Sequence, residues 1–191
     1  MISIQATNEE RTRPLPGDEC IPNPLDTITH AVTIHCPPHD VWPWLVQMGA
    51  GSRAGWYSYD WIDNGRTPSA TRIIPELQHP ALGSTFPALP GIAEGFKLAA
   101  CDPERHLTLT FPKADGRADV SWTFVLEPIG RYQTRLLVRV RGSEGYRFHR
   151  LPVFLTKIAI RFVHFIMQRR QLLGIVDRAE SVMSVDHAFA D

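Results

Sequence analysis

The stretch Cys36–Asn64, CPPHDVWPWLVQMGAGSRAGWYSYDWIDN, decides the reading of this chain. It holds four of the five tryptophans and two of the four tyrosines. Pro37 and Pro38 end the strand before them, because neither supplies a backbone N–H. His39 to Met48 then has helical spacing, with Val41, Trp42, Leu45, Val46 and Met48 on its apolar side. Pro43 is tolerable only in the first turn, where a missing donor costs little. Gly49 and Gly51 stop the helix. A second short helix is expected over Ser58–Asp63, with Ser58 as its cap and Asn64–Gly65 as its exit turn. On it Tyr57 and Trp61 would stand one above the other, and Asp60 beside Asn64. Trp and Tyr carry a large apolar body and one polar tip. Their density beside Asp60 and Asp63 suits the wall of a half-polar pocket, and equally a core corner packed only on protein.

Upstream, Thr27–His35 alternates. Ile28, His30, Val32 and Ile34 share one face, and Thr27, Thr29, Ala31 and Thr33 the other, as in a half-buried strand. His30 lies on the apolar face, where a core-edge histidine satisfied by a backbone carbonyl is expected. Residues 1–26 carry Pro14, Pro16, Pro22 and Pro24 among charges. Such a segment is an arm, ordered only where it lies along the body, for instance over an edge strand.

Downstream, Pro75–Gln78 reads as one helical turn and Gly83–Ala88 as a short strand. Gly95–Cys101 places Phe96, Leu98 and Ala100 on one face. Arg105–Phe111 turns Leu107, Leu109 and Phe111 inward and His106, Thr108 and Thr110 outward. Asp119–Glu127 turns Val120, Trp122, Phe124 and Leu126 inward. Tyr132–Gly142 separates Leu136, Val138 and Val140 from Arg135, Arg139 and Arg141. A three-residue loop Ile129–Gly130–Arg131 sets Val138 opposite Val120 or Trp122 and points the arginines at water. A four-residue turn would reverse this and let Arg135 and Arg139 hold an anion in the concave face. The first keeps apolar on apolar and is preferred.

After a connector, Val153 to about Met183 reads as one helix, with a frayed tail after Val185. Lys157, Arg161, His164, Gln168 and Gln171 form a polar stripe. Ile158, Ala159, Phe162, Phe165, Ile166, Leu172, Leu173 and Val176 form a wide apolar face that needs a cover. Gly174 marks a kink or a close packing point. The expected class is α+β: a curved antiparallel sheet gripping a long C-terminal helix, with two short helices after the first strand. Residues 1–26 are the arm, 27–185 one domain and 186–191 the tail.

A length of 191 residues suits one domain. Zero formal net charge gives no electrostatic case for nucleic acid. Cys20, Cys36 and Cys101 lack CxxC spacing, which argues against a disulfide framework or a cysteine zinc site and favours a reducing compartment. The N-terminal residues are too polar for a signal peptide. The apolar run Leu151–Met167 is broken by Lys157, Arg161 and His164 and is shorter than the roughly 20 residues of a bilayer span. A cytoplasmic chain with no transmembrane segment is expected.

The segments THAVTIHCPPHDVWPWLVQMG, RAGWYSYDWIDN, SWTFVLEP and TRLLVRVRG resemble the START-like helix-grip superfamily, and most of all its SRPBCC, polyketide cyclase/dehydrase-like, branch. The likeness spans about Thr27 to Glu180 and is most specific in VWPWLVQMG and RAGWYSYDWIDN. It implies a deep hydrophobic cavity for a lipid, a polyketide or another aromatic. It implies no reaction, because carriers, sensors and a few cyclases share the fold.

The chain has no HExxH, GxSxG, Walker loop or post-strand GxGxxG, and His35 and His39 straddle two prolines; no metal or cofactor is expected. Asp60 and Asp63, near Tyr57 and Tyr59, are the acid/base candidates, since desolvation raises a carboxyl pKa. Equally, they could cap a helix end or pair with Arg53, Arg66 or Arg72. Gln47 and Gln78 could orient a ligand carbonyl. The foremost expectation is a small hydrophobic ligand between helix and sheet. Its polar end would meet Tyr57, Tyr59, Asp60 or Gln78, and its body Trp56, Trp122, Phe124 and Phe162. The alternatives are a cyclase or dehydratase using Asp60 or a tyrosine, and peripheral membrane or partner binding through Lys157, Arg161, Arg169 and Arg170.

Overall fold

The computed structural model describes residues 2–143 and 153–188; within 153–188, side chains are described at 162 and from 164 to 181. Six strands form one curved antiparallel sheet: β1 (Asp26–Ile34), β2 (Thr85–Pro87), β3 (Gly95–Asp102), β4 (His106–Pro112), β5 (Ala118–Ile129) and β6 (Gln133–Gly142). Their spatial order is β1-β6-β5-β4-β3-β2. The chain after β1 returns to the far edge of the sheet through helices α2 (Pro38–Val46) and α3 (Asp60–Asp63). The long helix α4 (Val153–Ala188) packs against β1 and α2. The expected helix-grip arrangement is present, and α4 continues past its expected end near Met183.

The β5–β6 hairpin fixes which residues face α4. Ile129 pairs with Gln133, so the loop is Gly130–Arg131–Tyr132, with Gly130 at φ +61°. It starts one residue later than expected but keeps the same length, and therefore the same face parity. Val138 stands opposite Phe124 and Val140 opposite Trp122. Apolar residues meet apolar residues on the concave face.

Arg135, Arg139 and Arg141 accordingly point away from α4, but not into water. The N-terminal arm, including the short helix α1 (Asn8–Thr12), lies across them. Arg135 forks onto Glu10 at 2.7 and 3.0 Å. Arg139 is only 4% exposed. It donates to Asp18 at 2.8 Å, to the Thr29 hydroxyl and to the carbonyls of Glu10, Arg11 and Arg13. Arg141 reaches the other Asp18 oxygen at 2.9 Å. Gly17, at φ +84°, sits so close to the sheet that a Cβ there would lie 2.3 Å from Thr123 Oγ1. Thr108, on an outward face, is fully buried, and Ala6 and Leu15 complete a second apolar cluster with Ala31, Val125 and Leu137. The expectation of a solvated arginine face fails because the arm brings complementary acids and apolar groups to it.

Three local readings also change. β3 bulges between Leu98 and Ala100, so Ala100 pairs with the outward Thr108 and leaves the face of Phe96 and Leu98, and Cys101, opposite Leu107, takes its place against the core. α2 begins at Pro38, so Pro43 lies beyond the first turn and supplies no backbone N–H to the carbonyl of His39. Gly174 is a packing point: a Cβ there would lie 2.4 Å from the Tyr57 carbonyl oxygen.

Two outcomes follow from these contacts. Arg139→Met should lower unfolding free energy in urea titrations by about 2–4 kcal/mol, because three arm carbonyls lose the donor Arg139 gives them and Asp18 loses one of its cations. It should also expose residues 2–25 to limited proteolysis. Gly174→Ala should cost about 1–3 kcal/mol in the same titration, through overpacking against Tyr57.

Candidate functional site

A cavity of about 400 Å³ lies between the sheet and α4. One wall is aromatic. Trp56 stacks on Trp122 with centroids 5.2 Å apart, and Phe96 packs against both. Phe111 meets Phe96 edge-on at 5.5 Å. Val120 and Val140 continue the wall on β5 and β6, and Ala88 on the loop after β2. Trp56 is fixed by donating to the carbonyl of Ala88, its neighbour in the wall, at 3.2 Å.

The opposite wall is α4. His164, Met167, Gln168 and Gln171 face the cavity. The polar stripe read on this helix therefore points inward along part of its length. Phe162, Phe165 and Ile166, read as core-facing, are 65%, 43% and 37% exposed. Beyond Gln171, Leu172 and Val176 are buried as expected, Leu173 is only half-buried, and Ile175 and Ala179 join the buried side. Lys157 and Arg161 lie outside the described side chains.

Ser58 and Asp63 line the cavity beside α4. Ser58 does not cap α3: Tyr59 occupies that position, and the Ser58 hydroxyl donates to the Met167 carbonyl at 3.2 Å. Tyr57, at φ +60°, turns into the core, so Trp61 meets Tyr59 instead. Asp119 lies at the start of β5, where it accepts from Ser143 at 2.5 Å and lies 3.7 Å from Lys113 Nζ.

Four buried polar atoms of this lining have no hydrogen-bond partner: Asp63 Oδ1, Gln168 Oε1, His164 Nδ1 and Trp122 Nε1. Three are acceptors or can act as one. Buried polar groups are ordinarily satisfied; these four belong to residues of the lining, but the atoms themselves expose almost no surface and lie beneath the cavity wall. Burial, and then the neighbouring Asp60 charge, push the Asp63 carboxyl up to about 6; Ser58 partly offsets this. Burial, and then His30, push His164 down to about 4. His30 stacks on His164 with centroids 6.0 Å apart. Burial lowers His30 too, against the hydrogen bond its ring donates to the Ile4 carbonyl.

The expected ligand contacts divide. Trp56 and Trp122 line the cavity. Phe124 lies behind Trp122 and is fully buried. Tyr57 lies beneath α4, where Gln47 donates to its hydroxyl at 2.9 Å and that hydroxyl donates to the Trp44 carbonyl. Burial pushes the Tyr57 phenol strongly upward. Gln78 donates to Gln47 and to the carbonyls of Pro43 and Ile74. Both oxygens of Asp60 accept from Ser69, at 3.0 and 2.5 Å. Tyr59 caps α3 and Phe162 is exposed, away from the lining. Neither aspartate forms an ion pair with Arg53, Arg66 or Arg72; Arg53 instead donates to the Val46 and Met48 carbonyls and stacks over Phe86. The lining residues Gln168 and Gln171 carried a usable signal, two neutral amides on the polar stripe of a helix that must cover a sheet.

Among the described residues, no group of His, Cys, Asp and Glu is arranged to hold a metal ion. None of the described helices is long and apolar enough to cross a membrane.

No family model and no curated protein matches the chain. Solved structures do, and polyketide cyclase-like proteins are among them. The chain is similar to the Zhui aromatase/cyclase of a Streptomyces species, with 15% identity and a TM-score of 0.49 over 81% of this chain and 93% of that one. It is also similar to a protein from Thermobifida fusca, with 12% identity and a TM-score of 0.49 over 80% of this chain and 92% of that one. A polyketide_cyc-like protein of Corynebacterium glutamicum shares 16% identity, with a TM-score of 0.39 over 90% of this chain and 96% of that one. Likeness at this level carries no argument about activity.

The geometry predicts a stability trade at Asp63. Its folded pKa lies above the ordinary carboxyl value, so the folded state binds the proton more tightly than the unfolded chain. Stability attributable to this group is present near pH 4 and is lost as pH rises through about 6. Asp63→Asn should therefore stabilise the protein by roughly 1–2 kcal/mol at pH 7.5 and by little at pH 4, read by urea unfolding at both values.

Proposed function

We propose that this protein binds a small, largely apolar molecule in the cavity between α4 and the sheet. The observation that carries the reading is the aromatic wall of Trp56, Trp122 and Phe96, which faces His164, Gln168 and Gln171 of α4 across a cavity of about 400 Å³. The flat apolar body of the guest lies on Trp56, Trp122 and Phe96. Its polar end meets Asp63, His164 and Gln168. The arrangement of elements, a helix laid over a curved sheet, is one that leaves such a space. Tyr57, Gln78 and Phe124 act behind the cavity, holding the elements that form it. A cytoplasmic location agrees with three free cysteines.

A second reading is proton transfer on a bound polyketide-like substrate. A carboxyl that titrates near 6 inside an apolar site favours it, and that carboxyl is Asp63. Asp60 is less suited, because Ser69 occupies both its oxygens. Contact with a membrane surface through Arg169 and Arg170 ranks third and has no geometric support of its own.

The test is titration with the neutral fluorophore N-phenyl-1-naphthylamine. One molecule per chain should bind with a blue-shifted emission and quench Trp56 and Trp122. Val140→Trp, which fills the cavity from β6, should reduce that affinity at least about tenfold while leaving the far-UV circular dichroism unchanged. Unchanged affinity in Val140→Trp would place the probe elsewhere and defeat the reading.

A further inference from the structure

Two histidines join α4 to the edge strand β1 at the border of the cavity. His164 belongs to the lining. His30, on β1, stacks on it with ring centroids 6.0 Å apart and 14° between the planes, and Phe165 packs on His30 from the next position of α4. The arm completes this layer. The Ile4 carbonyl accepts from the Ala31 N–H at 3.1 Å and from the His30 ring, and the Ile4 side chain is buried in the same core. His30 Nε2 and His164 Nδ1 are buried without a hydrogen-bond partner. In an imidazolium both ring nitrogens are donors, so ionising either ring leaves a buried N–H without an acceptor. It also sets a cation 6.0 Å from a second titratable ring. Burial accordingly pushes His164 down to about 4 and lowers His30. The charged neighbours do not oppose this. Arg11 of the arm acts on His30 as a like charge. On β6, Val138 stands opposite His30, and Arg139 is on the reverse face. In the lining, Asp119 is engaged by Ser143 and Lys113, and Asp63 takes up its own proton near pH 6. Residues 153–163 of α4 include Lys157 and Arg161 and no acid.

We propose that the His30–His164 stack is an acid-operated latch on the cavity: when the two rings ionise, the part of α4 upstream of Gly174 parts from β1 and the arm, and the guest is released. This rests on the cavity-binding reading above and adds its regulation. α4 is held unevenly. Downstream, Gly174 seats the helix on the Tyr57 carbonyl and Arg178 lies over the Tyr57 ring. Upstream, the helix meets the cavity through His164, Met167 and Gln168, and the histidine stack ties it to β1. Each ring binds its proton more weakly when closed than in water, so acid shifts the population toward the open state from about pH 6.5 downward. Asp63 acts with the opposite sign. Its carboxyl binds a proton more tightly in the closed state, so acid acting there favours closure. Glu10 and Asp18 are held below the usual carboxylate range, so the arginine contacts of the arm outlast the latch. A loss of affinity on mild acidification thus reports the histidines and not these carboxyls.

The experiment titrates N-phenyl-1-naphthylamine, which stays uncharged throughout, into the full chain at pH 7.5, 6.0 and 5.0. The native affinity should fall at least about tenfold from pH 7.5 to 5.0 with the far-UV circular dichroism unchanged. Amide hydrogen exchange, corrected for its intrinsic pH dependence, should quicken at pH 5.0 in α4 upstream of Gly174 and in residues 4–6, and not in β4 and β5. His30→Phe keeps a ring against His164 and Phe165 but cannot ionise. It should bind the probe within about threefold of the native chain at pH 7.5 and lose at least half of the fall on a logarithmic scale. In His30→Phe/His164→Phe, the affinity retained at pH 7.5 should be unchanged at pH 5.0. Native affinity that stays level or rises toward pH 5.0 overturns the latch and leaves the cavity reading standing. So does a fall that persists undiminished in His30→Phe. If the variants do not fold, the native chain decides: a fall accompanied by loss of protection across the whole sheet is acid unfolding and overturns the latch. Failure of the probe to bind at any pH defeats both readings.

Discussion

The structure depends on the close approach of α4 to Tyr57. Tyr57 adopts a left-handed backbone conformation, which few side chains other than glycine accept at low cost. Its surroundings hold it there. Gln47 and Trp44 fix the hydroxyl, the Ser69 hydroxyl accepts from its backbone N–H, and the Arg178 guanidinium lies 4.5 Å above its ring. Gly174 lets the helix settle directly on the Tyr57 carbonyl. α4 is thereby clamped at its C-terminal half, onto a floor made by α2 and the loop from Gly49 to Ala70. One turn upstream the same helix presents Gln171, Gln168 and His164 instead of apolar side chains, and the packing opens into the cavity. The cavity is where a helix held firmly at one end faces the sheet through polar residues.

The reverse face of the sheet is closed by different chemistry. Residues 2–25 cover it through arginines that reach up from β6 to Glu10, Asp18 and a series of backbone carbonyls. The fork from Arg135 holds Glu10 below the usual carboxylate range. Burial acts on Asp18 in the other direction, but the Leu15 N–H, Arg141 and Arg139 together bring it down. These acids stabilise the closed arm above pH 4 and cease to do so as they protonate below it. Because guanidinium groups supply several donors each, three of them satisfy an arm that has little ladder pairing of its own. A sheet covered on both sides can keep a curved shape without its concave face being filled.

Much of this was legible residue by residue. Alternation placed Val120, Trp122 and Phe124 on the face of β5 that meets α4, and loop length kept Val138 and Val140 on the matching face of β6. Gly174 stood out as either a kink or a close packing point, and the Tyr57 carbonyl makes it the second. The site was only half legible. Trp56 and Trp122 declared themselves by type and face. Asp60 and Asp63 looked alike in sequence, yet Ser69 engages the first and nothing in the protein engages Oδ1 of the second. That difference comes from Ser69, nine residues further along the chain than Asp60, and from the proximity of α4. His164 and Gln168 were read as part of a polar stripe set apart from the apolar face, because hydrophobic periodicity assigns the apolar residues to the covered side. A polar-lined cavity reverses that assumption.

By itself, the sequence determined the class of the fold, the strand faces apart from the end of β3 beyond its bulge, the hairpin parity and the existence of one long covering helix. These follow from short-range rules: side-chain period, proline and glycine geometry, and turn length. Only the tertiary structure decided that the arm lies over the β6 arginines, that α4 turns its polar residues toward the sheet, and that Asp63 is left buried with an empty oxygen. Each of these depends on which distant groups come within about 3 Å of one another, a range at which hydrogen bonds form and which no local pattern encodes.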